Sequence, residues 1–139
     1  MGKNSDNLGK EAEDAVEAAT RELIEEDSKL PETNRRFVGY IRASCSDALD
    51  SNGIDILIFL NNGGAIPIQI KAVKKRKHRV FKRFHKHHPS IRFILFIRKN
   101  PLRNPDSPAY RRTLDYIKAK IVNYAERVTK IYGNPEVHP

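Results

Sequence analysis

Gly53-Ile54-Asp55-Ile56-Leu57-Ile58-Phe59-Leu60, then Asn61-Asn62-Gly63-Gly64, then Ala65-Ile66-Pro67-Ile68-Gln69-Ile70-Lys71: this stretch decides the fold. Two apolar runs rich in β-branched residues flank an Asn/Gly turn, which predicts an antiparallel hairpin with strands at 54–60 and 65–71. In the second strand Ile66, Ile68 and Ile70 take one face, while Pro67, Gln69 and Lys71 take the other. Asp55 opens an otherwise wholly apolar strand. An uncompensated carboxylate is costly there, so a metal or a cationic partner is expected. The pairing makes the expectation geometric. A two- or four-residue loop centred on Asn62-Gly63 sets Asp55 opposite Ile70, on the wrong face. A three-residue turn with a left-handed glycine sets it on the face of Gln69 and Lys71. Pro67 removes one ladder hydrogen bond and argues mildly against a central strand.

Outward from the hairpin, Leu8, Ala12, Ala15, Val16, Ala19 and Leu23 form one apolar stripe and predict a helix over 8–27, capped by Asn7 or Asp6. Residues 36–42 alternate weakly and read as a first strand, and 47–52 as a polar turn. Residues 74–88 read as a helix with Val80, Phe81 and Phe84 inward. Pro89 ends it, 91–97 is another buried strand, and 98–106 is a Pro/Asn-rich loop. A final helix runs from about 107 to 132, with Pro108 in its first turn and Gly133 as C-cap. Its residues Tyr110, Leu114, Ile117, Ile121, Tyr124, Val128 and Ile131 make a heptad seam. Packing on its own sheet is the simpler use of that seam. At roughly 38 Å the helix is long for the domain, so part of the seam is also a candidate homodimer surface. The order is αβββαβα: a single α/β domain over 1–139, with its core at about 8–97.

The formal charge of +9 is unevenly spread, with ten of the seventeen acids before residue 33. From Ile56 to Pro105 there is no Asp or Glu, but there are thirteen Lys/Arg and four of the five histidines. Such segregation points to a polyanion, most often nucleic acid. No long apolar run or signal-peptide core is present, so the expected address is cytoplasmic, nucleoid association included, with no membrane partner. The lone Cys45 rules out an intramolecular disulfide and any cysteine-based zinc cluster. It reads most simply as a small apolar residue.

Phosphodiester hydrolysis needs charge neutralisation at phosphate and a deprotonated water, and a divalent cation with hard oxygen ligands supplies both. Asp55 is a suitable ligand. The Gln69 amide oxygen is a neutral and weaker one. Lys71 is placed to orient a water or to offset transition-state charge.

Helix, strand, Gly-Ile-Asp-Ile-Leu-Ile, hairpin and Ile-Pro-Ile-Gln-Ile-Lys together resemble the core of the PD-(D/E)xK nuclease superfamily. The Gln-x-Lys form is similar to Mrr-type restriction endonuclease domains, and the serine-containing stretch before Gly-Ile-Asp resembles archaeal Holliday junction resolvases. The resemblance covers roughly residues 8–97. It implies a restriction-endonuclease-like αβββαβ core with a mixed sheet and dependence on Mg²⁺ or Mn²⁺. It also implies a metal held by Asp55, Gln69 and the Ile70 carbonyl, with Lys71 catalytic. A first-helix glutamate four residues after a glycine also belongs to the pattern. Gly9-Lys10-Glu11-Ala12-Glu13 matches it, which implies that Glu13 assists, through a water or a second metal. Periodicity alone does not separate Glu13 from Glu11. Ile54 stands where the pattern has proline, and Gln69 where it has an acid.

Lys74, Lys75, Arg76, Lys77, Arg79, Lys82, Arg83 and Lys86 follow directly and are expected to track the phosphate backbone without reading sequence. Phe81 and Phe84 suit the core face better than base stacking. His78, His85, His87 and His88 read as added phosphate contacts rather than a zinc site. The expectation is a metal-dependent DNA endonuclease of repair, recombination or restriction, with RNA as the alternative polymer. The rival reading is a non-catalytic nucleic-acid-binding module on the same fold, and a third is a purely architectural dimer.

Overall fold

Leu60 donates its N–H to the Gly64 carbonyl at 2.9 Å, and Gly63 donates back to the Leu60 carbonyl at 3.2 Å. These bonds close a three-residue turn, Asn61 to Gly63, in a computed structural model of the chain. It describes residues 2–43, 53–73 and 93–132, with side chains over 9–43, 53–73 and 93–128. Gly63 has φ +89°, the left-handed backbone that the odd-length turn requires. Gly64 follows because the helix above leaves no room: an added Cβ would lie 3.0 Å from Asn62 Oδ1 and 3.3 Å from Val128 Cγ1. The turn is pinned from outside, since Asn61 N–H reaches the Arg36 carbonyl at 2.8 Å and Asn61 Nδ2 reaches that of Arg35 at 2.9 Å.

The turn joins β2 (Ile56–Leu60) to β3 (Ala65–Val73). With β1 (Phe37–Arg42) and β4 (Phe93–Arg98) they form one mixed sheet in the order β1-β2-β3-β4. The first two pairings are antiparallel, and β3 with β4 is parallel. The chain passes from β3 to β4 through residues 74–92. Ile56 faces Ile68, Leu57 faces Pro67 and Ile58 faces Ile66. Continued one step, that register brings Asp55 opposite Gln69. Pro67 sits at the margin of the β3–β4 ladder, which among the described residues begins at Ile68 opposite Phe93, so its missing N–H faces no described partner.

Ile56, Ile58, Ile66, Ile68 and Ile70 turn to one face of the sheet and are at most 7% exposed. Helix α1 (Gly2–Ser28) covers that face with Ala12, Ala15, Val16, Ala19 and Leu23, the three alanines letting its backbone approach the strands. Helix α2 (Pro108–Tyr132) packs beside it through Leu114, Ile117, Ile121, Tyr124, Ala125 and Val128. Ser107 caps α2, its Oγ accepting the Tyr110 N–H at 3.1 Å, and Pro108 takes the first helical position. Ions lace the two helices together. Arg111 grips Glu22 at 2.6 and 3.0 Å, and Lys118 reaches Glu26 at 2.5 Å. At the far end of α1, Asp27 Oδ2 accepts the N–H groups of Arg36 and Phe37 at 2.7 and 2.8 Å and so starts β1.

Several boundaries differ from the sequence expectation. α1 begins at Gly2 and runs through Asp6 and Asn7, so neither residue caps it. Nothing in Lys3–Asn7 forbids helical backbone, and a polar first turn leaves no stripe by which to see it. β2 begins at Ile56 rather than Ile54 because the chain bends at Asp55, and β3 extends to Val73 because β4 pairs with it that far. Asn100–Arg103, read as loop, is a 3₁₀ turn anchored by buried Leu102. The α2 seam from Leu114 to Val128 is buried within this chain. The Ile131 side chain, Gly133, the turn expected at 47–52 and the helix expected over 74–88 lie outside what the structure describes. Among the described residues no helix is long and apolar enough to cross a membrane.

Candidate active site

At Asp55 the strand is stitched to both neighbours. Its carbonyl accepts the Ala43 N–H at 2.9 Å, on the β1 side, while its own N–H donates to the Ile68 carbonyl at 2.9 Å, on the β3 side. In a regular antiparallel strand both groups of one residue point to the same neighbour. The departure here is the bend that ends β2, and it re-aims the side chain. Asp55 Oδ2 accepts the Ile70 N–H at 2.7 Å, filling the place of the next ladder carbonyl. Alternation along β3 turns the Ile70 carbonyl to the same side as its N–H, toward Asp55.

Gln69 is 8% exposed, and its Oε1 has no hydrogen-bond partner among the described residues. A buried amide oxygen without a partner costs about 1–3 kcal/mol, so a ligand that satisfies it has a ready gain. Lys71 is half-buried on the same face, opposite Phe96 of β4, while Ile94 stands opposite Gln69. The structure therefore gathers Asp55, Gln69, Ile70 and Lys71 at one end of β2 and β3. A carboxylate, an amide oxygen and a backbone carbonyl form a hard-oxygen set suited to Mg²⁺ or Mn²⁺, and the orphaned Gln69 oxygen fits such a cation. Among the described residues no cluster of three or more His, Cys, Asp or Glu side chains is present, so this set rests on one carboxylate and neutral oxygens.

Glu13 is placed differently. α1 covers the isoleucine face, whereas Gln69 and Lys71 extend from the opposite one. The flank of α1 that carries Glu13 meets Arg42, the last residue of β1 and the neighbour of Ala43. Arg42 Nη1 lies 2.6 Å from Asp14 Oδ1 and 3.3 Å from Glu17 Oε1. Burial works against the Arg42 charge, yet the bond to Asp14 and the nearby charges of Asp14, Glu13 and Glu17 outweigh it and raise its pKa. Arg42 thus ties the acidic flank of α1 to the strand end beside Asp55. The sequence reading missed it, since an arginine closing an alternating strand looks like any solvated edge residue. Glu11, which periodicity leaves equal to Glu13, points along the other flank, and its Oε2 is buried with no partner among the described residues.

Lys74, Lys75, Arg76, Lys77, Arg79, Lys82, Arg83 and Lys86, the four neighbouring histidines and Cys45 lie outside the described residues. Compared with known proteins, the chain matches no family model, no curated protein and no solved structure.

Proposed function

We propose that this chain is a divalent-metal-dependent endonuclease acting on DNA, built on the restriction-endonuclease-like core of the PD-(D/E)xK nucleases. The observation that carries the reading is the buried Gln69 amide oxygen, without a partner among the described residues, on the strand whose next N–H holds the Asp55 carboxylate. Asp55, Gln69 and the Ile70 carbonyl would hold the cation. When bound, it supplies charge neutralisation at the scissile phosphate and acidifies a water. The Ile70 N–H fixes the rotamer of Asp55, so the carboxylate is oriented before any ligand arrives. The Lys71 ammonium, on the face of Gln69, offsets charge that builds on the phosphate oxygens and orients the attacking water. Glu13 acts as an outer carboxylate from the α1 flank that Arg42 orders.

One observation favours the second reading, a non-catalytic nucleic-acid-binding module on the same fold. One Asp55 oxygen is already engaged by an amide, and Gln69 adds no charge. Supercoiled plasmid, linear duplex and a four-way DNA junction, each incubated with Mg²⁺ or Mn²⁺, separate the two. Metal-dependent cleavage that disappears in Asp55→Asn and Lys71→Met supports the nuclease. Salt-sensitive binding with no cleavage under any metal supports the module. Cleavage that survives both substitutions overturns the assignment of the site.

A further inference from the structure

We propose that Arg98, Lys99 and Arg103 form a phosphate-binding shelf where the β3–β4 pair ends, contacting the sugar-phosphate backbone of the nucleic acid as it passes the site. This rests on the nucleic-acid reading above and adds residues from the other side of the sheet's parallel pair.

The register places the shelf. Lys71 stands opposite Phe96 and Val73 opposite Arg98, so Lys71 and Arg98 rise from one face on adjacent strands. Sheet spacings set their α-carbons roughly 8 Å apart. Phe93, Leu95 and Ile97 point into the helix-covered core, which leaves Ile94, Phe96 and Arg98 to the face of Gln69 and Lys71. Lys99 then leaves the strand while still tied to it, its N–H donating to the Val73 carbonyl at 3.1 Å. The 3₁₀ turn Asn100–Arg103 follows. Leu102 N–H bonds the Lys99 carbonyl at 3.1 Å, and the Leu102 side chain is 4% exposed, so Arg103 returns within one turn of Lys99 on a fixed backbone.

What sets these three cations apart from the paired ones is that none has a partner among the described residues. On the helical side Arg21, Arg42, Arg111 and Lys118 bind acids, and Arg35 binds the carbonyls of Leu30 and Ser28. The side chains of Arg98, Lys99 and Arg103 make no hydrogen bond or ion pair among the described residues. Arg98 and Arg103 are exposed and Lys99 is half-exposed. Asp106, the first acid after the run, is exposed and bonds none of them among the described residues. Three like charges between residues 98 and 103 repel one another, and a polyanion relieves that repulsion by displacing their counterions. The acid-free span from Ile56 to Pro105 takes in all three.

The test is salt-dependent binding in EDTA to a 20-base-pair duplex of mixed sequence, so that catalysis plays no part. The triple variant Arg98→Gln, Lys99→Gln, Arg103→Gln should flatten the slope of log K against log salt by about 2–3 units and weaken binding on the order of 10- to 100-fold at about 0.1 M salt. A control triple, Lys29→Gln, Arg112→Gln, Arg127→Gln, removes the same net charge from exposed positions and should change the slope by less than about one unit. The pair Arg98→Lys, Arg103→Lys should retain the wild-type slope, and thermal melts check that each variant folds. An unchanged slope in the shelf triple, or equal flattening in both triples, overturns the shelf. If wild type cleaves DNA while the shelf triple keeps its slope, the shelf fails and the nuclease reading stands. If the slope flattens and no metal supports cleavage, the shelf stands and the nuclease reading fails. Wild type with no salt-sensitive binding overturns both.

Discussion

Replacing Asp55 by alanine strips the Ile70 N–H of its 2.7 Å acceptor at a residue that is 7% exposed. A hydrogen bond to a charged group contributes about 1.5–3 kcal/mol, and an amide left bare in the interior costs a similar amount. Asp55 itself is only half-buried, so water relieves part of the loss. Asp55→Ala is therefore expected to lose about 1–2 kcal/mol, roughly 4–8 °C in melting temperature for a domain of this size. Asp55→Asn keeps an oxygen that accepts the Ile70 N–H and gives up only the charge, so its loss should stay below about 1 kcal/mol. Catalysis should rank the variants otherwise, since the amide oxygen of asparagine cannot replace the carboxylate at a cation: both should be inactive. Urea unfolding in EDTA gives the stabilities, and plasmid relaxation with Mn²⁺ gives the activities. If alanine is within a few tenths of a kcal/mol of wild type, or asparagine is as destabilised as alanine, the acceptor role drawn for Asp55 is wrong.

Gln69→Glu adds the missing charge at an 8% exposed position. It should lower the melting temperature in EDTA and raise it with Mn²⁺, with metal affinity up on the order of tenfold by calorimetry; equal affinity would remove Gln69 from the ligand set. Gly63→Ala forces a side chain onto φ +89° and should cost about 1–2 kcal/mol, read from urea midpoints. A neutral result would mean that the turn is not the one described. The Arg111 hydrogen bond lowers the Glu22 pKa below its ordinary value of 4.5. The Glu22 contribution is therefore fully present above that unfolded value and is lost as pH falls through the lower folded one. Wild type should lose more stability than Glu22→Gln between about pH 5 and pH 2, and parallel pH profiles would refute it.

Much of the hairpin was legible because its constraints are local. The alternation of Ile66, Ile68 and Ile70 sets the faces, and an odd-length turn with a left-handed glycine is required to bring Asp55 toward Gln69. Gly63 supplies that turn. α2 was legible through Pro108 and its seam, of which packing within the chain buries Leu114 to Val128. The bend at Asp55 was not legible, since it depends on bonds to Ala43 on one side and Ile68 and Ile70 on the other. Nor could period 3.6 choose between Glu11 and Glu13, which flank the stripe symmetrically. Only the docking of α1 assigns one flank to Arg42. Arg98, Lys99 and Arg103 were visible as part of an acid-free run, but the approach of Arg98 to Lys71 exists only through the parallel pairing of β3 with β4.

The Asp55–Ile70 bond also makes the site observable by spectroscopy. An amide proton whose nitrogen is held 2.7 Å from a carboxylate oxygen is deshielded, so the Ile70 resonance should lie downfield of its neighbours in a ¹⁵N-labelled sample. Protonation of Asp55, or a cation drawing on its electrons, would weaken that bond and move the peak upfield. Ala43, whose N–H rests on the Asp55 backbone carbonyl, should follow with a smaller displacement. One backbone signal thus reports the charge state of the proposed centre, whether or not any bond is ever cut.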